Sequence, residues 1–218
     1  MEYAEVMEWL ETTASPEVRG SLTRYGIPTE HALGIPMDLL KKQAKQIGRS
    51  HELAGRLWAT GIYEARTLAA LVDEPTEVTA EQMDRWAHEF DSWAICDTVC
   101  FSLFDRTPYA WDKVREWEPS AEEFVRRAAY ALVWALSVHD KQAPDEAFVT
   151  ALEMLETARP DPRPLVKKAM DMALRATGKR NAVLRERAIE TAKRLAEDAD
   201  RDRAWVGRHA LRELERIG

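Results

Sequence analysis

Ser120-Ala-Glu-Glu-Phe-Val-Arg-Arg-Ala-Ala-Tyr-Ala-Leu-Val-Trp-Ala-Leu-Ser-Val138 is the stretch whose pattern decides the fold class. It is the most apolar segment of helical period in the chain, and it predicts a helix over 121–138. Ser120, with Glu123 three residues on, has the form of a capping box, in which the two side chains satisfy N–H groups of the first turn. Arg126 and Arg127 stand in the second turn. Adjacent helix positions point about 100° apart, so a deeply packed helix cannot send both to solvent. One of them is expected to face a cleft, and Tyr130, a turn after Arg126, to line it.

Working outward, the pattern repeats in both directions. Upstream lie short helical segments over 2–13, 36–47, 50–60, 62–72 and 79–88, then 92–104 and 108–118. Thr79 with Gln82 forms a second capping box, and Glu64 and Arg66 fall on the outer face of 62–72. Downstream come 145–158, 165–176, 181–197 and 201–216, with Gly178 placed to cap the third-last helix. No segment reads as a strand. Residues 20–36, with three glycines and two prolines, form the longest non-helical connection, either a lid or an edge filler. Eleven or twelve helices joined by short connections predict an all-α chain in one domain over 1–218, a superhelical stack of antiparallel helix pairs, with a single globular bundle as the rival because the N-terminal helices are shorter and irregular. Such a stack bends into a concave surface.

One helix carries an acid that its period does not require. In Asp91-Ser-Trp-Ala-Ile-Cys-Asp97, a helix started by Asp91 or Ser92 puts the Trp93 ring and the Asp97 carboxylate one turn apart on one face. Charge is uneven. Of the net −7, residues 161–218 hold 15 Lys/Arg against 10 Asp/Glu, and the first 160 hold 16 against 28. The C-terminal third is therefore the expected polyanion surface. Cys96 and Cys100, four apart in an apolar helix, read as a buried thiol pair, and the five histidines share no ligand spacing, so no metal is expected. Nothing approaches twenty consecutive apolar residues, so a soluble, cytoplasmic chain without membrane contact is expected.

The chain resembles the DNA alkylation repair family built from HEAT-like helix pairs. The resemblance rests on Gly61-Ile-Tyr-Glu-Ala-Arg66, Asp91–Asp97, Val125-Arg-Arg-Ala-Ala-Tyr130, Val166-Lys-Lys-Ala-Met-Asp-Met-Ala-Leu-Arg175 and Trp205-Val-Gly-Arg-His-Ala-Leu-Arg-Glu-Leu214, in the family's order. It implies a HEAT-like α-α superhelix and a DNA glycosylase that hydrolyses the N-glycosidic bond of 3-methyl or 7-methyl purines in duplex DNA. No cofactor is implied beyond water. By motif the family's carboxylate falls on Asp97, its tryptophan on Trp93 and its phosphate-holding arginine on Arg127, with Arg126, Tyr130, Lys167, Lys168, Met172 and Arg175 along the DNA. A cationic adduct is already a good leaving group, so a carboxylate that stabilises the developing cationic sugar or orients water suffices, and an indole face adds cation–π attraction.

Two positions depart from the family pattern. Met172 stands where Lys-Ala-x-x-Trp-Ala-Leu-Arg has its tryptophan, and Ala94 follows Trp93 where a second aspartate is usual. The thioether is polarizable but has no ring face and no N–H. The other reading open to the sequence is a weak or inactive member that serves as a DNA-binding or protein-interaction scaffold. A monomer, with duplex DNA or a protein segment as partner, is expected in either case.

Overall fold

The computed structural model describes residues 1–216, and in them every regular element is helical. Thirteen α-helices run in order: α1 Tyr3–Thr13, α2 Pro16–Leu22, α3 Met37–Ile47, α4 His51–Trp58, α5 Tyr63–Val72, α6 Ala80–His88, α7 Trp93–Ser102, α8 Ala110–Trp117, α9 Glu123–His139, α10 Asp145–Thr157, α11 Pro164–Gly178, α12 Ala182–Ala196 and α13 Arg201–Leu214. No helix among them is long and apolar enough to cross a membrane. The backbone divides into two compact units, residues 1–108 and 109–218.

In the first unit α3, α5 and α7 pack side by side in a row, α4 lies against α5, and α1 rests on both. The rings of Trp58 and Trp86 stack at 3.9 Å in its interior, with Phe90 and Phe104 around them. In the second unit α9, α11 and α13 form the corresponding row, with α8 against α9 and α12 against α11 and α13. Short connections between packed neighbours make the pairs antiparallel, as the helical period predicts. Buried alanines at 128, 129, 131 and 135 of α9 let its neighbours approach closely.

Local signals worked out unevenly. Ser15 accepts the N–H of Val18 and starts α2, a helix absent from the expected segments that runs into the 20–36 connection. Thr79 caps α6 as predicted, but the Gln82 side chain leaves the capping box and donates to Asp73 instead, at 2.7 Å. Ser120 does not cap α9. Its hydroxyl accepts the N–H of Glu122, a turn bond, and the helix begins at Glu123. Gly178 is not a left-handed cap either. It is the last residue of α11, and a Cβ there would come within 2.5 Å of Leu214 and 3.0 Å of Ala188. Its role is the close approach of α11 to α12 and α13.

Candidate nucleic-acid interface

Ser92 fixes the start of α7 by accepting the N–H of Ile95, which makes Trp93 the first helical residue. Ala94, Ile95, Cys96, Val99 and Cys100 face the interior, while Trp93, Asp97, Thr98, Phe101 and Ser102 remain half-buried on the outer side. The i, i+4 spacing thus places the indole and the carboxylate on one exposed stripe. Cys100 lies beneath it as a buried thiol outside any disulfide. Burial, helped by Cys96 and by the negative charge of Asp97, pushes that thiol well above its ordinary value.

Trp93 is held from the side. Its indole N–H donates to the Tyr25 carbonyl at 2.8 Å, at the end of the 3-10 turn Thr23–Tyr25, and Tyr25 itself is 64% exposed. The connection that follows is anchored by Glu64, which accepts the N–H groups of Leu33 at 2.8 Å, Gly34 at 2.6 Å and Ile35 at 3.2 Å. Glu64 is fully buried, not on the outer face of its helix as its period suggests. Three converging donors replace the water such a carboxylate gives up. Gly34 is required at this point, since its φ is +83° and a Cβ would strike the Ser15 carbonyl. Next to Glu64, burial first, and then the charges of Glu64 and Asp91, push the Tyr63 hydroxyl up to about 12.

In the second unit Arg126 and Arg127 are both buried, so the expectation that one faces a cleft fails. Arg126 donates to Asp161 at 3.0 Å, to Glu118 at 2.8 Å and to the Arg159 carbonyl at 2.8 Å, while the Tyr130 hydroxyl donates to the same Glu118 oxygen at 2.9 Å. Burial disfavours the Arg126 charge, but Tyr130, Glu118 and Asp161 outweigh it and its pKa is raised. Asp161 resists the same burial through the Arg163 side chain and backbone, which hold it at about 2. Arg127, 3% exposed, donates to the Leu165 carbonyl in the first turn of α11. A guanidinium removed from water needs such partners, and here they tie α9 to the segments around it. Tyr130 is buried within this cluster, where a cleft-lining role was expected.

Met172 and Arg175 come together in an open cleft of about 510 Å³ between the C-terminal halves of α9 and α11, with Trp134, Lys141, Lys179 and Arg180 also on its walls. Most of its positive charge is engaged within the protein. Arg175 pairs with Asp171 at 2.8 Å and with Glu213, and Lys179 pairs with Glu213. Hydrogen bonding from Lys179, reinforced by Arg175, holds Glu213 below the usual carboxylate range. Arg180 donates to the Ser137 carbonyl at 3.0 Å and lies 3.9 Å over the Phe148 ring. Nearby, Lys167 pairs with Asp202 at 2.5 Å beside the Trp205 ring, and Lys168 is exposed. Sequence reasoning missed Tyr25, which acts through its main-chain carbonyl, and the role of Glu64, whose carboxylate accepts three main-chain N–H groups. No group of three or more potential metal ligands occurs among the described residues.

Residues 6–214 match a family model described as DNA alkylation repair enzyme. One solved structure resembles the chain at a TM-score of 0.78 and 25% identity, over 89% of this chain and 83% of the other; it is described as "a new family of proteins related to the HEAT-like repeat DNA glycosylases with affinity for branched DNA structures". Among curated proteins, none matches.

Proposed function

Because this chain belongs to the DNA alkylation repair enzyme family, we propose that it binds DNA through the phosphate backbone, prefers branched DNA to plain duplex, and does not efficiently excise bases. The observation that carries this reading is the state of the residues that excision would need. Arg127 is buried with its guanidinium donating to the Leu165 carbonyl, and Met172 offers the cleft a thioether where an indole would supply a ring face. The described affinity of the structural relative for branched DNA supports the choice of ligand.

A second reading, excision of 3-methyl or 7-methyl purines, is favoured by one specific observation. Trp93 and Asp97 stand a turn apart on the outer stripe of α7, with the indole clamped by Tyr25. That pair would meet the electrostatic requirement for a cationic sugar. The experiment uses the purified protein with linear duplex, forked and four-way DNA, followed by fluorescence anisotropy, beside release of free alkylbase from methylated duplex. Tighter binding of the branched probes without base release is expected. Equal affinity for all probes would overturn the preference. Release by the wild type that falls on the order of 100-fold in Asp97→Asn would replace the first reading by the second.

A further inference from the structure

The first unit is the acidic one, with 10 Lys/Arg against 18 Asp/Glu in residues 1–108. Four of those ten cations nevertheless border a single open cleft of about 390 Å³: Lys41 and Lys45 of α3, Arg49 just after it, and Arg106 just after α7. Ala44, Gly48, Leu71 and Ser102 complete its walls, and no carboxylate lines it. Arg49 is engaged by the Leu71 and Asp73 carbonyls at the end of α5. By contrast Lys41, Lys45 and Arg106 make no ion pair and no side-chain hydrogen bond among the described residues, although all three are exposed. Attraction to the negative end of a helix accounts for Lys45, in the last turn of α3, and for Arg49. It does not account for Lys41. A like-charge i, i+4 pair such as Lys41 and Lys45 is locally unfavourable, and an acidic unit has many carboxylates with which to relieve it.

The cleft touches α7 at its last residue, Ser102. Ser102 lies five residues beyond Asp97, about 7.5 Å along the helix axis and about 140° around it, so the cleft meets α7 on a different edge from the one that carries Trp93 and Asp97. We propose that the cleft formed by Lys41, Lys45, Arg49, Arg106 and Ser102 is a phosphate-backbone site for DNA, separate from the Trp93–Asp97 stripe. The inference rests on the reading of this chain as a DNA binder and assigns part of that binding to the unit whose overall charge is acidic. Long lysine stems on neighbouring turns suit consecutive phosphates, and the Ser102 hydroxyl adds a donor without charge.

The test is the salt dependence of anisotropy with a four-way DNA probe. Removing one cation that neutralises a phosphate lowers the slope of log K against log salt by about 0.9, so Lys41→Gln/Lys45→Gln is expected to lower it by about 1.8. Lys42→Gln/Arg85→Gln removes the same charge from exposed positions of this unit outside the cleft and is expected to leave the slope within experimental scatter. Arg106→Gln, from a different segment, is expected to lower it by about 0.9. Unchanged melting temperatures check that all variants fold. Equal losses in both double variants would show a general charge effect and overturn the site. Wild-type slopes in both, with the wild type binding DNA, would overturn the site and leave the DNA reading standing. Absence of DNA binding by the wild type itself would bring down that reading and the site with it.

Discussion

The two units dispose of positive charge in opposite ways. In the second, Lys and Arg are plentiful, yet Arg126, Lys167, Arg175 and Lys179 each face a carboxylate, and Arg127 and Arg180 face main-chain carbonyls. In the first, acids outnumber bases, yet three cations stand around one cleft without an ion pair among the described residues. Attraction for a polyanion follows the field at a particular surface, not the sum over a segment. If the first-unit cleft holds phosphate as proposed, the balance of +5 in residues 161–218 does not by itself mark where DNA is held.

If the buried pairs of the second unit serve its packing, breaking them should unfold it. Arg126→Met leaves Glu118 and Asp161 without their buried partner and should cost about 3–5 kcal/mol, read by chemical denaturation. A loss under about 1 kcal/mol would show the cluster to be dispensable. In the first unit the comparable change is Glu64→Gln, which replaces a carboxylate bonded to three N–H groups by a neutral amide. A loss of about 2 kcal/mol, with faster amide exchange at Leu33, Gly34 and Ile35, is expected from denaturation and hydrogen exchange.

Acid titration sharpens the contrast further. Asp161 is lowered from 3.8 to about 2 in the folded protein, so its stabilising contribution is complete above the unfolded value and disappears as pH falls from about 4 toward 2. Asp161→Asn should flatten the stability profile in that window, and an unchanged profile would place the acid sensitivity elsewhere. The smallest effect on stability belongs to Glu213→Gln. Its ion pairs are partly exposed, and their loss should cost no more than about 1 kcal/mol. Freed from Glu213, Arg175 and Lys179 should strengthen DNA binding and steepen its salt dependence. Weaker binding would mean that the pairing orders the cleft for DNA.

Much of the helical architecture was legible because the 3.6-residue period is strong and punctuated by Ser, Thr and Pro. The placement of Trp93 and Asp97 on one stripe was legible for the same reason, since an i, i+4 relation is local. Helix α2 was hidden by the Gly- and Pro-rich composition around it. Buried charges were misread where the partner lies far along the chain. Glu64 is satisfied by N–H groups about 30 residues earlier, and Arg126 and Arg127 by groups 33 to 38 residues later or by Glu118. The cleft of the first unit draws on three separate segments, 41–49, 71 and 102–106. No local pattern joins them, and only the packing of α3, α5 and α7 does.

The most direct test of the account is the affinity of the wild-type protein for four-way and linear DNA of equal length, measured by anisotropy across a series of salt concentrations. Tighter binding of the four-way DNA, with log K falling steeply and linearly against log salt, is the predicted result. Absence of binding to either DNA at low salt, or binding indifferent to salt, would contradict it.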